Sequence, residues 1–154
     1  WHWINYYENS GHALDHYVDW VKSLPYKVHL HYVPHDGAAR ELQSGKSRVE
    51  FLESRGFVMG GSVDGCVPRH EPMDGIDAAR VRFNRMYFDA DKCSRGIECL
   101  RMYQAEYDDK HQVLRSRPLH NWASHGADAF RCGVMGAEEH VTKDLPQVET
   151  DWGR

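Results

Sequence analysis

Two aspartates stand at positions where their chemistry is worth asking about. Asp36 follows the run "VHLHYVPH" and leads at once into Gly37, Ala38 and Ala39, while Asp128 sits in "SHGADAFR" among small and apolar neighbours. Ligands of open α/β folds gather outside the carboxyl ends of strands, which is where Asp36 falls. Asp128 has His125 one helical turn before it and Ser124 four residues back, on the same face. Brought together, the two acids offer hard oxygen ligands of the kind that Mg²⁺ or Mn²⁺ takes. A pair of such ions roughly 4 Å apart clamps a phosphodiester for two-metal hydrolysis. Plainer roles fit the same residues. An Asp before Gly serves as a turn or N-cap residue, and Asp128 can pair along its helix with Arg131 or His125.

Other chemistry is easier to set aside. "SGKS" at 44–47 looks like the end of a phosphate-binding loop, but the position five residues before Gly45 holds Arg40 rather than glycine, so there is no Walker A. None of the eleven histidines falls in an HExxH spacing, and they read mostly as surface or packing residues. Cys66, Cys93, Cys99 and Cys132 form no CxxC pair. They read as reduced thiols rather than a disulfide framework or a zinc site.

The elements that must position the aspartates follow from periodicity. "WHWINYY" is a β-favouring aromatic run that stops at Asn9-Ser10-Gly11. In "GHALDHYVDWVKSL" the residues Leu14, Tyr17, Val18, Val21 and Leu24 share a helical face, closed by Pro25. "KVHLHYVP" alternates as a strand and "SRVEFLESRG" reads as a short helix, with Val49, Leu52 and Phe51 inward and Gly56 as its stop. "FVMGGSVDG" reads as a short strand running into a loop. "EPMDGIDAARVRFNRMYF" predicts a helix with Ile76, Ala79, Phe83 and Met86 on one face. "DADKCSRGIECLRMYQAEYDD" predicts another, with Ile97, Leu100, Tyr103 and Tyr107 as its stripe. "DKHQVLRSRP" reads as a polar connector. A last helix runs from about Asn121 to Val134 with Ala123, Ala127, Phe130 and Val134 inward, and residues 137–154 form an extended or flexible tail.

Strand, helix, strand, helix, short strand and three helices make an α/β pattern, with the first two strands parallel through a right-handed crossover. A sheet of three strands, one of them short, looks incomplete. The chain of 154 residues is long enough for one domain with a real core, and 41% hydrophobic content argues for a globular fold rather than a disordered chain. No apolar run nears the roughly 20 residues of a membrane span and no secretory segment opens the chain, so a soluble intracellular protein is expected, neither membrane-bound nor secreted. Net charge of −4 gives no positive support for nucleic acid, although Arg80, Arg82 and Arg85 cluster, as do Arg115, Arg117 and Arg131. Trp1 falls directly in a strand-like sequence, as in a processed chain or a piece of a longer one.

Four stretches, "YYENSGHALDHYV", "HYVPHDGAARELQSGKSRVEFLESRG", "DGIDAARVRFNRMYFDADKCSRGIECLRMYQ" and "PLHNWASHGADAFR", resemble the C-terminal nuclease domain of tailed-phage terminase large subunits, the DNA-packaging motors. The resemblance runs from about Trp3 to Met135 and would make residues 1–136 the nuclease domain. It implies an RNase H-like fold, akin to resolvases and integrases, with a central sheet flanked by helices. It also implies an endonuclease that cuts concatemeric double-stranded DNA with two Mg²⁺ or Mn²⁺ ions. Partners would be the portal protein and the small terminase subunit, in the host cytoplasm. Of three family acids, Asp36 falls on the second and Asp128 on the third, as catalytic residues and metal ligands. Glu8, His35 and His125 accompany them as site-lining candidates. Arg80, Arg82 and Arg131 are candidates for contacts to DNA phosphates.

The sequence departs from the family in one respect that matters. The first-strand acid, usually in a "D-x-G" run, has no counterpart at the N-terminus, so the first strands look missing and little or no cleavage is expected of this chain. Asp151 in "TDWGR" resembles that motif, but "DLPQVE" before it lacks the apolar run of a central strand. The alternative readings are a non-catalytic module of the same fold that docks DNA or a partner, and a piece of another RNase H-like nuclease such as a resolvase.

Overall fold

The structure is a computed structural model that describes residues 1–144 apart from Gln43, with the backbone alone for 138–144. Among the described residues it is mixed α/β, with five α-helices carrying most of the order and short strands.

Helix α1 (Leu14–Ser23) buries Val18 and half-buries Leu14, Tyr17 and Val21, the apolar face that its spacing predicts. The segment expected as the next strand enters only two isolated parallel bridges, His31 with Met59 and Val33 with Cys66. A short 3-10 turn, His35–Ala38, follows. Helix α2 (Arg48–Ser54) starts on a reciprocal cap: the Ser47 hydroxyl accepts from the Glu50 amide at 3.0 Å, and the Glu50 carboxylate accepts from the Ser47 amide at 2.8 Å. Both orphan amides are thereby satisfied.

Beyond this point two of the expected helices are too long. Helix α3 (Pro72–Arg82) ends in a 3-10 turn at Phe83–Arg85, and the chain then forms strand β2 (Tyr87–Phe88). β2 pairs in parallel with β1 (His2–Trp3), so β1 takes β2 as its partner rather than the 28–33 segment. Phe83, expected inside, is half exposed, whereas Met86 is buried. Helix α4 (Ser94–Met102) stops before "QAEYDD", which is strand β3 (Ala105–Asp108). The expected polar connector holds strand β4 (Val113–Pro118), and the two form an antiparallel hairpin. Tyr107, expected inside a helix, is exposed on that hairpin. Among the described residues the strands thus make two separate two-stranded sheets rather than one central sheet.

Helix α5 (Trp122–Asp144) is the spine of the fold, and its 23 residues run past the expected end at Val134. Residues 145–154, with the end of the expected tail and Asp151, lie outside the described residues. Ala123, Ala127, Phe130 and Val134 are all buried, as the spacing requires. Phe130 and Val134 meet Ala79 and Met86 in the core, covered by Trp1, Trp3 and Phe88. Trp3 and Phe130 bring their rings to 4.6 Å. Helix α4 crosses α5 closely at Gly126, where a Cβ would stand 2.8 Å from the Cys99 Cβ. All four cysteines are buried and free. No helix among the described residues is long and apolar enough to cross a membrane.

Candidate active site

The sequence places Asp36 after a strand-like run, and the backbone explains why it stays exposed. The Gly37 amide donates to the Pro34 carbonyl at 2.8 Å and the Ala39 amide to the Asp36 carbonyl at 3.1 Å, closing the 3-10 turn. Gly37 is buried against Val33 and Cys66, and a Cβ there would stand 2.9 Å from Val33 Cγ2. The turn can therefore fold back onto the Leu30–Val33 segment only with glycine at this position. Asp36, next to that buried glycine, is left exposed.

Asp128 comes from the first half of α5. The fold brings it and Asp36 to the walls of one cleft of about 640 Å³. His35 and His125 line the same cleft, as does Arg131. Three lining residues, Arg69, His70 and Glu71, have no place in the sequence reading. Their signal is a polar triplet held between Pro68 and Pro72, at the start of α3.

Each aspartate already meets a cation. Arg48 Nη1 donates to Asp36 Oδ2 at 3.2 Å, and Arg131 Nη2 donates to Asp128 Oδ1 at 2.6 Å. The second pair is the plain helical role that Asp128 and Arg131 allow at a spacing of one turn. The two arginines differ in their surroundings. Arg131 is 13% exposed, gives its other terminal nitrogen to the Pro72 carbonyl at 3.2 Å, and keeps a buried Nε without a partner. Arg48 is 52% exposed, with Glu41 Oε1 4.0 Å from its Nε.

The remaining candidates fall elsewhere or are committed. Glu8 lies outside the cleft lining. It accepts from Arg95 Nε at 2.7 Å and from the Tyr6 hydroxyl at 2.7 Å. These bonds hold the Glu8 carboxyl below its usual range, Arg95 foremost, with a smaller contribution from His125. Arg80 pairs with Asp77 and lines a second cleft between α3 and the hairpin, with Arg115 and Arg117. Arg82 donates to the Ala78 carbonyl at 3.0 Å. Two further groups are poor reagents. Burial pushes the Cys132 thiol up to about 11, so it stays protonated at neutral pH and is no nucleophile. The Tyr103 hydroxyl is buried near Asp128 and Arg131 but makes no hydrogen bond of good geometry, and burial raises its pKa.

The donor chemistry fits a hard divalent ion in part. The two half-exposed aspartates line the cleft together with Glu71, and water or phosphate oxygens can complete an octahedral shell. Among the described residues no group of three His, Cys, Asp or Glu is arranged to hold a metal. The cleft can therefore present acids, imidazoles and guanidinium groups to a phosphodiester from several elements. No family model, curated protein or solved structure matches this chain.

Proposed function

We propose that this chain belongs to the nuclease domain of a tailed-phage terminase large subunit, with an RNase H-like fold, whose intact form cuts concatemeric double-stranded DNA during packaging; without the first-strand acid this chain itself cleaves little or not at all. The observation that carries the reading is the shared cleft: Asp36 and Asp128, from a turn and a helix far apart in sequence, line one wall system. The four stretches that resemble the family supply the rest. Mg²⁺ or Mn²⁺, when bound, supplies the Lewis acidity that activates a phosphodiester toward water. The chain's own residues bind and orient: Asp36 and Asp128 present oxygens, Arg131 fixes the Asp128 carboxylate, and His35 and His125 are placed to hold a phosphate or an ordered water. Portal protein and small terminase subunit are the proposed partners, in the host cytoplasm.

The arginine partner on each acid favours a second reading, a module that grips DNA without metal. Calorimetric titration with Mn²⁺ separates the two. Uptake by the wild-type chain that disappears in Asp36→Asn/Asp128→Asn supports the nuclease. No uptake, with duplex binding indifferent to metal and to both substitutions, replaces it with the gripping module.

A further inference from the structure

Arg48 comes from the first turn of α2, an element to which the nuclease reading gives no role. Its guanidinium nonetheless reaches Asp36 at 3.2 Å. The contact differs in kind from the one at Asp128. Arg131 is nearly enclosed and tied to the Pro72 carbonyl as well, so it cannot leave Asp128 without stranding buried donors. Arg48 has no such tether. Both it and Asp36 are more than half exposed, and Glu41 stands ready as a second acid for its Nε. An exposed pair of this sort is worth little and is easily exchanged.

A divalent ion at Asp36 would meet this guanidinium as a competitor for the same carboxylate. An approaching phosphate diester offers the displaced guanidinium an anionic partner of matching geometry. We propose that Arg48 is the exchangeable countercharge of Asp36, released by a divalent ion and handed to a backbone phosphate of the DNA. The inference rests on the nuclease reading and adds a positioning residue to it. Ion entry and DNA grip become coupled: the ion that occupies Asp36 also frees a cation for the substrate. Arg131 plays the opposite part, a fixed cation that holds Asp128 in place throughout.

Mn²⁺ titration of wild type, Arg48→Gln and Asp36→Asn tests this, alongside binding of a labelled DNA duplex with Mn²⁺ present and absent. Arg48→Gln should take up Mn²⁺ about two- to fivefold more tightly, as expected from losing one exposed competing pair. Its Mn²⁺-dependent affinity for the duplex should fall. A merely structural Arg48 would weaken both, because a disordered Asp36 serves neither ligand. Unchanged or weaker Mn²⁺ uptake in Arg48→Gln, with wild type binding and Asp36→Asn failing, would overturn the inference and leave the nuclease reading standing. Tighter uptake without loss of duplex affinity would overturn the hand-over to phosphate. No uptake by either wild type or Arg48→Gln would overturn both.

Discussion

Asp36 and Asp108 occupy the same kind of place, at the end of an extended segment as the chain turns, yet the structure uses them in opposite ways. The Asp108 carboxylate is 13% exposed and accepts from the Lys110 and His111 amides, the His111 ring and Arg115. Its lone pairs are spent on closing the β3–β4 hairpin. Asp36 closes its turn with backbone atoms alone, and its side chain keeps one exposed partner, Arg48. The difference teaches how to read a strand-end aspartate. What matters is whether local donors saturate it, because a saturated carboxylate is a brace and an unsaturated one is available to a ligand. Glu8, held by Arg95 and Tyr6, belongs with the braces.

The contrast can be broken most sharply by exchanging the two losses. Asp36→Ala should abolish Mn²⁺ uptake while moving the melting temperature by no more than about 2–4 °C, since one exposed pair is worth under about 1 kcal/mol. Asp108→Ala should leave uptake intact and speed amide exchange at Lys110 and His111. Equal loss of uptake in both variants would erase the distinction.

A second test separates the site from its scaffold. Gly126→Val forces a side chain between α5 and α4, where a Cβ already meets Tyr6 and Cys99 inside 3 Å. Overpacking of this kind costs about 1–3 kcal/mol, so the thermal midpoint should drop clearly. Mn²⁺ uptake measured well below that midpoint should persist. Its loss would mean that the α4–α5 crossing sets the position of Asp128 as well as the stability.

The smallest effect concerns acid. The His111 hydrogen bond, foremost, holds the Asp108 carboxyl below its ordinary range. A folded-state pKa that is depressed adds stability above the unfolded value, and that stability is lost as pH falls through the folded value. The hairpin turn should therefore hold down to about pH 4 and loosen below it, seen as faster amide exchange at residues 109–112. Exchange at these amides that shows no change below about pH 4 would mean that the Asp108 carboxylate does not brace the turn.

Much of the fold could be read from particular residues. The apolar spacing in α1 and α5 and the stop at Pro25 are local signals, set by neighbours within a turn or two. The missed elements are those whose decisive partners are remote or on the next strand. "RFNRMYF" carries a helical period, but Tyr87 and Phe88 pair with His2 and Trp3 at the other end of the chain. "MYQAEYDD" is rich in helix formers, and becomes a strand because the next segment pairs with it and its acids meet Arg115 and Arg117 there.

The same division holds at the site. Asp36 and Asp128 are legible as unusual positions, because a turn after an extended run and a small-residue helix face are written locally. Their presence in one cleft, the addition of Arg69, His70 and Glu71, and the choice of Arg48 as partner for Asp36 depend on how α2 and α5 pack around the 30–36 segment. Sequence determined that Asp128 has Arg131 one helical turn away, because helix geometry sets that distance, and that Asp36 closes its turn without a side-chain donor beside it. Only the tertiary structure decided that Arg48 meets Asp36 and that the two aspartates share a cleft, because those residues lie far apart along the chain and their separation sets no distance in space.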